Sequence, residues 1–168
     1  MGPNRKTSDK PRYYEGSDVI NVRSATPADA AEIASLCAEL GYPRSKEESE
    51  RRLELIADAS DLLLVAAAES TGQLMGFIQA KRVCIIEVGV RVEILGLVVA
   101  EKFLRGGIGR HLIAEVERWA RASGVEAVWC EVTPNEWKAM SFIQPWVIGQ
   151  SKRRLFMKSD CLDKHSCA

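Results

Sequence analysis

The chain has 168 residues, 46% of them hydrophobic and 27% charged, a balance that suits one folded domain with a substantial core. Its 23 basic and 23 acidic side chains cancel, which excludes a global basic field for nucleic acid or an anionic membrane surface. No apolar run approaches the ~20 residues of a membrane helix, and the opening MGPNRKTSDKPRYYEGSD holds no apolar segment that reads as a secretory signal.

Cys37, Cys84, Cys130, Cys161 and Cys167 are an odd, scattered set without a C-x-x-C pair, so a reduced, cytoplasmic setting is expected. Cys161, His165 and Cys167 gather three soft groups in a polar terminus, too few for a metal site to be expected there.

Taken in chain order, residues 1–17 are polar, carry two prolines and read as a disordered tail. A single domain is expected over residues 18–158, with a flexible tail at 159–168. Val19 to Arg23 reads as a strand. Thr26-Pro27-Ala28-Asp29 is a helix start, with Thr as N-cap, Pro at the first helical position and an acid at the third. Ile33, Leu36, Cys37 and Leu40 recur at helical spacing until Gly41. Ser45-Lys46-Glu47-Glu48 opens a second helix, whose buried face is expected at Leu53, Ile56 and Ala57.

Leu62 to Ala68 is continuously apolar, the pattern of a central strand. A turn at Ser70–Gln73 returns the chain through a strand at Leu74–Lys81. Cys84 to Val99 is rich in β-branched residues and broken by Gly89 and Gly96, which predicts a strand at about Arg91–Val99 with a bulge or close approach. Ile108, Leu112, Val116, Trp119 and Ala120 form one apolar stripe of a helix over Gly107–Ser123, closed by Gly124. Strands at Val125–Val132 and Arg154–Lys158 enclose a short helix starting at Thr133-Pro134-Asn135. The order β-α-α-β-β-β-α-β-α-β implies a mixed sheet with helices on its faces.

The chemistry concentrates in Leu95 to Arg110, where a strand runs into a Gly-rich turn that opens an amphipathic helix. Glycines let the backbone turn tightly and meet a ligand without a Cβ in the way. The first helical N–H groups lack intrahelical partners and sit at the positive end of the dipole. Together they make a pyrophosphate cradle, to which Arg105 and Arg110 add charge. The Walker pattern is absent, and Gly107-Ile108-Gly109 lacks the third glycine of a dinucleotide fingerprint.

This segment resembles the signature of the GNAT superfamily of acetyl-CoA-dependent N-acetyltransferases, [Q/R]-x-x-G-x-[G/A], through Gly107-Ile108-Gly109 and the preceding Gly96-Leu97-Val98-Val99. Asn135-x-x-x-Ala139-x-x-Phe142 is similar to the family's later motif, and the element order agrees over residues 19–158. The sequence departs at two places: Leu104 stands at the [Q/R] position, and Ile143 where a proton-donating tyrosine is usual.

The resemblance implies an α/β (α+β) fold with a mixed, mostly antiparallel central sheet and helices on both faces. It implies acetyl-CoA as cosubstrate, with pantetheine along Leu97, Val98 and Val99 and pyrophosphate on the amides of Leu104, Arg105, Gly106, Gly107, Ile108, Gly109 and Arg110. Asn135 joins the cofactor-binding set and Glu93, fourteen residues before Gly107, is the implied general base. Glu87 and Glu131 are weaker acids for the same site, and Ser141 is a candidate proton donor. His111, Trp129, Trp137 and Tyr42 read as structural residues before functional ones.

The reaction expected is acetyl transfer to a primary amine, of a small molecule or a peptide, by direct attack in a ternary complex. A homodimer is compatible with that reading; nucleic acid and membrane partners are not expected. The alternatives are a non-catalytic acyl-CoA-binding sensor or interaction module, favoured by Leu104 and Ile143, and, more distantly, a nucleotide-binding domain.

Overall fold

The computed structural model describes residues 19–56, 58–125 and 127–131 and the backbone of the strand at 154–158. Both terminal tails, the helix expected after Thr133, and the residues Asn135, Trp137, Ser141, Ile143, Cys161, His165 and Cys167 lie outside the described residues.

The chain opens with β1 (Ile20–Ser24), then a 3₁₀ turn at Pro27–Asp29 that runs into α1 (Ala30–Glu39). The acid expected near the N-cap is the device that makes this turn. Asp29 Oδ2 accepts the Thr26 N–H at 2.7 Å and its hydroxyl at 2.9 Å, while Arg23 forks both carboxylate oxygens at 2.7 and 2.8 Å. With its carboxylate buried among these donors, Asp29 is held down to a pKa of about 2, first by Arg23 and then by Thr26 against the cost of burial. Gly41, at φ +84°, ends the helix region in the left-handed conformation that a terminating residue needs.

Ser45 Oγ accepts the Glu48 N–H at 3.1 Å and starts α2 (Lys46–Leu55). Of the buried face expected here, Leu53 packs half-buried against the core and Ile56 is half-buried, while Ala57 lies outside the described residues; Ser49 is the most buried residue of this helix and Leu55 is exposed. Its exposed face carries ion pairs at helical spacing, Glu48 taking both Arg51 and Arg52, while Leu53 packs it on the core.

The sheet continues with β2 (Asp61–Ala68), β3 (Leu74–Ile85) and β4 (Gly89–Val99), and after α3 (Ile108–Ala122) with β5 (Ala127–Glu131) and β6 (Arg154–Lys158). The six described strands lie in sequence order, and all neighbours are antiparallel except β4 and β5, which are parallel. β3 runs four residues beyond the predicted end at Lys81, and β4 begins at Gly89. The two form one long hairpin, its tight turn at Ile86–Val88 closed by Gly89 at φ +82°. The β-branched run from Cys84 is therefore hairpin, not the loop implied by starting a strand at Arg91.

Leu64–Ala68 and Leu74–Ile78 are buried residue after residue. Side chains alternate between faces, so uninterrupted burial requires cover on both. α1 and α3 supply it, each packing on β3 without packing appreciably on the other. Ile78, Leu112, Val65, Val92 and Val116 are the largest side chains shut from solvent, and they tie α3 to the sheet. The stripe read from the sequence is the one α3 buries, with Trp119 half-buried at its margin.

Candidate active site

The strand β4 is paired along its length on one side and released on the other. Against β3 it keeps register from Ile85↔Gly89 to Gly76↔Val99, with one irregularity that leaves Leu95 without a partner. Against β5 it pairs only at Val92↔Val128, Glu93↔Trp129 and Ile94↔Cys130. Beyond Ile94, among the described residues, no strand takes up the outer edge of Leu95–Val99. The bulge at Leu95 adds local twist at the residue where the two strands part. Leu97, Val98 and Val99, the expected pantetheine track, form that released edge.

Gly96 sits beside the bulge, and a Cβ built on it would meet nothing within 4 Å. The opposite case is Gly76 on β3, where a Cβ would press into the carbonyl of Val98. Of the two glycines that punctuate β4, Gly89 serves the turn and Gly96 leaves open space. Close backbone approach belongs to Gly76.

After β4 a 3₁₀ turn at Glu101–Phe103 leads into the expected phosphate loop. The turn is fixed to α1, whose Glu39 Oε2 accepts the Glu101 N–H at 3.0 Å. Arg105, at φ +65°, and Gly107, at φ +85°, both take left-handed backbone, and Arg105 is the one non-glycine residue to do so among the described residues. These reversals turn successive amides toward one side of the loop. The N–H groups of Arg105, Gly107, Ile108, Gly109 and Arg110 meet no acceptor among the described residues, whereas His111 already bonds the Gly107 carbonyl at 3.1 Å. Ile108 and Gly109 are buried while Arg105, Gly107 and Arg110 are exposed. A row of unsatisfied N–H groups at the N-terminus of a 15-residue helix is an anion cradle. It fits a pyrophosphate without help from the side chain of Leu104, which is exposed.

His111 is held by this turn: its Nδ1 lies 3.0 Å from the Gly107 carbonyl. That contact supports the reading of His111 as a structural residue.

Glu93 is half-buried, and its Oε1 is taken by Arg91, whose Nε donates at 2.8 Å and whose Nη2 bonds the same oxygen. The Arg91 guanidinium lies 4.5 Å from the centroid of the Trp129 ring. Sequence reasoning singled out Glu93 and Trp129 separately and missed Arg91, the residue that joins them. Its period-two spacing from Glu93 was the available signal. Glu87 lies in the exposed hairpin turn, away from the point where β4 and β5 part. Tyr42 is exposed just after α1.

Cross-strand partners share a face of a sheet. Register therefore places Asp61, Lys81 and Glu93 in one row and Leu63, Gln79 and Gly96 in the next, on the same face. Each row spans two inter-strand spacings, roughly 10 Å. At the far end of both rows lies a cleft of about 320 Å³ between the end of β1, the C-terminal part of α2 and the start of β2. Leu53, Ile56 and Leu63 give it apolar walls and Glu54, Asp58 and Asp61 give it carboxylates. Asp58 is kept below the usual carboxylate range first by the Ser60 backbone N–H. Among the described residues no group of His, Cys, Asp and Glu side chains is placed to hold a metal ion, and no helix is long and apolar enough to cross a membrane.

The acetyltransferase (GNAT) family model matches residues 28–144. An aminoglycoside N(6′)-acetyltransferase type 1 from Stenotrophomonas maltophilia is 31% identical over 107 residues, which cover 61% of this chain and 69% of that protein. Among solved structures, an acetyltransferase of Trypanosoma brucei superposes with a TM-score of 0.66 at 17% identity, covering 80% of this chain and 98% of that one. The PaiA N-acetyltransferase of Thermoplasma acidophilum, solved in complex with coenzyme A, gives 0.64 at 20% identity, covering 83% and 99%. At such identities the two structures speak for the fold.

Proposed function

Because the chain belongs to the acetyltransferase (GNAT) family and is an N-acetyltransferase, we propose that it carries the acetyl group of acetyl-CoA to a primary amine of a small, multiply cationic acceptor. The observation that carries the cosubstrate is the set of amides at Arg105, Gly107, Ile108, Gly109 and Arg110 that meet no acceptor among the described residues, in the loop that follows β4. Those amides hold the pyrophosphate, and the released edge at Leu97–Val99 takes the pantetheine arm. The expected contributions of Leu104 and Gly106 are corrected, since their N–H groups bond the Glu101 and Phe103 carbonyls.

The acceptor enters over the face that carries Leu63, Gln79 and Gly96, with its further cations toward Glu54, Asp58 and Asp61 in the cleft. This agrees with the aminoglycoside acceptor in the name of the S. maltophilia relative. The open space at Gly96 brings the reacting amine between Glu93 and the parting strands. Glu93 takes the amine proton through its second oxygen, Oε2, which carries no bond among the described residues. As the new C–N bond forms, the C–S bond breaks and coenzyme A departs as the thiol. A backbone amide near Leu97 faces the developing oxyanion, and Ser141 or water returns the proton to sulfur. Placing both reactants in one cleft supplies much of the acceleration without a covalent enzyme intermediate.

A second reading, an acyl-CoA-binding module without turnover, is favoured by Leu104, by Ile143 and by the engagement of Glu93 with Arg91. Release of coenzyme A over a panel of aminoglycosides, polyamines, amino acids and peptide N-termini decides between them. Turnover strongest with multiply cationic amines is the expected result. Acetyl-CoA binding by calorimetry with no thiol release from any amine overturns catalysis in favour of the module.

A further inference from the structure

Arg91 has an environment unlike that of any other cation described on the sheet. Its side chain is only 10% exposed, although it lies two residues from the more open Glu93 on the same face of β4. Burying a guanidinium costs energy unless it is paired and its donors are used. Here one edge meets Glu93 and one face meets the Trp129 ring, and Trp129 is itself the register partner of Glu93 on β5. The guanidinium is thus clamped between a carboxylate and an indole across the last stretch where β4 and β5 still pair.

Two details turn this pair toward chemistry. First, both donors land on Oε1 rather than forking the carboxylate, so Oε2 stays available. Second, the other cation beside Glu93, its β3 partner Lys81, is committed elsewhere: its Nζ lies 3.1 Å from Asp61. Arg91 is therefore the side chain that fixes where the Glu93 carboxylate stands and which oxygen it presents.

We propose that Arg91 is a positioning residue of the acetyl transfer, holding Oε1 of Glu93 so that Oε2 faces the amine over Gly96, with Trp129 steadying the guanidinium from β5. The proposal rests on the reading of Glu93 as the proton acceptor. Arg91 touches neither substrate; it acts through Glu93.

A double-mutant cycle in the full chain tests it, with kcat, the KM for acetyl-CoA and thermal melting followed for each variant. Glu93→Gln is expected to lower kcat by about 10²–10⁴-fold. Arg91→Met is expected to lower kcat by about 10–100-fold, the range for a misplaced catalytic group, with the KM for acetyl-CoA unchanged within about twofold. Arg91→Lys keeps the charge and loses the Nε donor. It guards against a failure of Arg91→Met to fold, and its loss is expected to be about three- to tenfold, so that wild-type kcat in this variant alone also counts against the proposal. The decisive arm is the combination: either Arg91 change made on top of Glu93→Gln is expected to cost nothing further in kcat. Losses that multiply across the cycle overturn the positioning role and leave Glu93 intact as the base. Wild-type kcat in Arg91→Lys or Arg91→Met overturns it as well. Wild-type kcat in Glu93→Gln removes the base and the positioning role together, and the single variant alone reveals that outcome.

Discussion

On the side toward β3, β4 is closed almost from end to end; on the side toward β5 it is closed for three residue pairs and then, among the described residues, open. The closed side holds Ile78, Ala80 and Val92 with no exposed surface, and helices cover both of its faces. The open side holds the bulge at Leu95, the open space at Gly96 and the run into the amide-lined loop. The same strand thus has two unlike edges. One spends its backbone hydrogen bonds on the fold; the proposed function gives the other to a ligand. Stability and binding should separate accordingly when residues are changed on either side.

Ile78→Ala strikes the closed side at a fully buried position and is expected to cost about 2–5 kcal/mol in urea denaturation. Acetyl-CoA affinity per folded molecule should stay unchanged, and a matching loss of affinity would break the separation. Gly107→Asp strikes the loop that the open edge feeds. An aspartate there must adopt φ +85° and brings a negative charge to the amide row, so acetyl-CoA affinity should fall by at least about 100-fold in calorimetry. Unchanged affinity in a folded Gly107→Asp protein would remove the pyrophosphate cradle.

Asp29, near the outer edge of the closed side, sharpens the comparison through pH. Its folded pKa is lowered from 3.8 to about 2, so its contribution is complete above the unfolded value and is lost as pH falls toward and through about 2. The contribution is of order 2 kcal/mol. Asp29→Asn should therefore lie below the wild type in stability at pH 5–7, with the gap narrowing between about pH 4 and pH 2. A gap that stays constant over that window would mean the carboxylate charge is not what Arg23 and Thr26 hold. The finest test compares two glycines. Gly76→Ala forces backbone to shift against Val98 and should destabilise by about 1–3 kcal/mol. Gly96→Ala meets open space, should change stability by less than about 0.5 kcal/mol, and should lower kcat/KM for the acceptor. Equal stability losses at the two would erase the distinction between the edges.

The sequence was most legible where the cause of structure is local. Thr26 to Asp29 and Ser45 to Glu48 announce helix starts because a cap needs only its own next turn. The same holds for Gly107 through Gly124, where a left-handed glycine stands at each end of a periodic apolar stripe. Legibility failed where distant contacts decide. On α2 the pattern points to Leu53, which does pack on the core, but not to Ser49, whose burial depends on neighbours distant in the chain. The β3–β4 hairpin was cut short because Ile86 and Val88 look like core residues and are exposed. Glu93 was visible through its spacing to Gly107, but its bond to Arg91 and the stacking of Arg91 on Trp129 need β4 and β5 side by side. Those strands are separated in the chain by the whole of α3.

The long hairpin has a consequence for how the protein breathes. β2 stops pairing with β3 at Lys81, with one further bond from the Arg82 N–H to Ser60, and β5 reaches β4 no earlier than Val92. From Val83↔Arg91 outward, among the described residues, the two strands have only each other. A two-stranded ribbon is marginal in water, so this arm should open and close far more often than the sheet behind it. Amide protons of Cys84 and Val90 should exchange with deuterium well before those of Ile78 and Ala80, which have a paired strand on each side. Arg91 stands at the root of that arm, where fraying from the tip arrives last but does arrive. Fraying that runs past Arg91 must first break its contacts with Glu93 and Trp129, so those contacts should set how far the arm opens toward the point where β4 and β5 part.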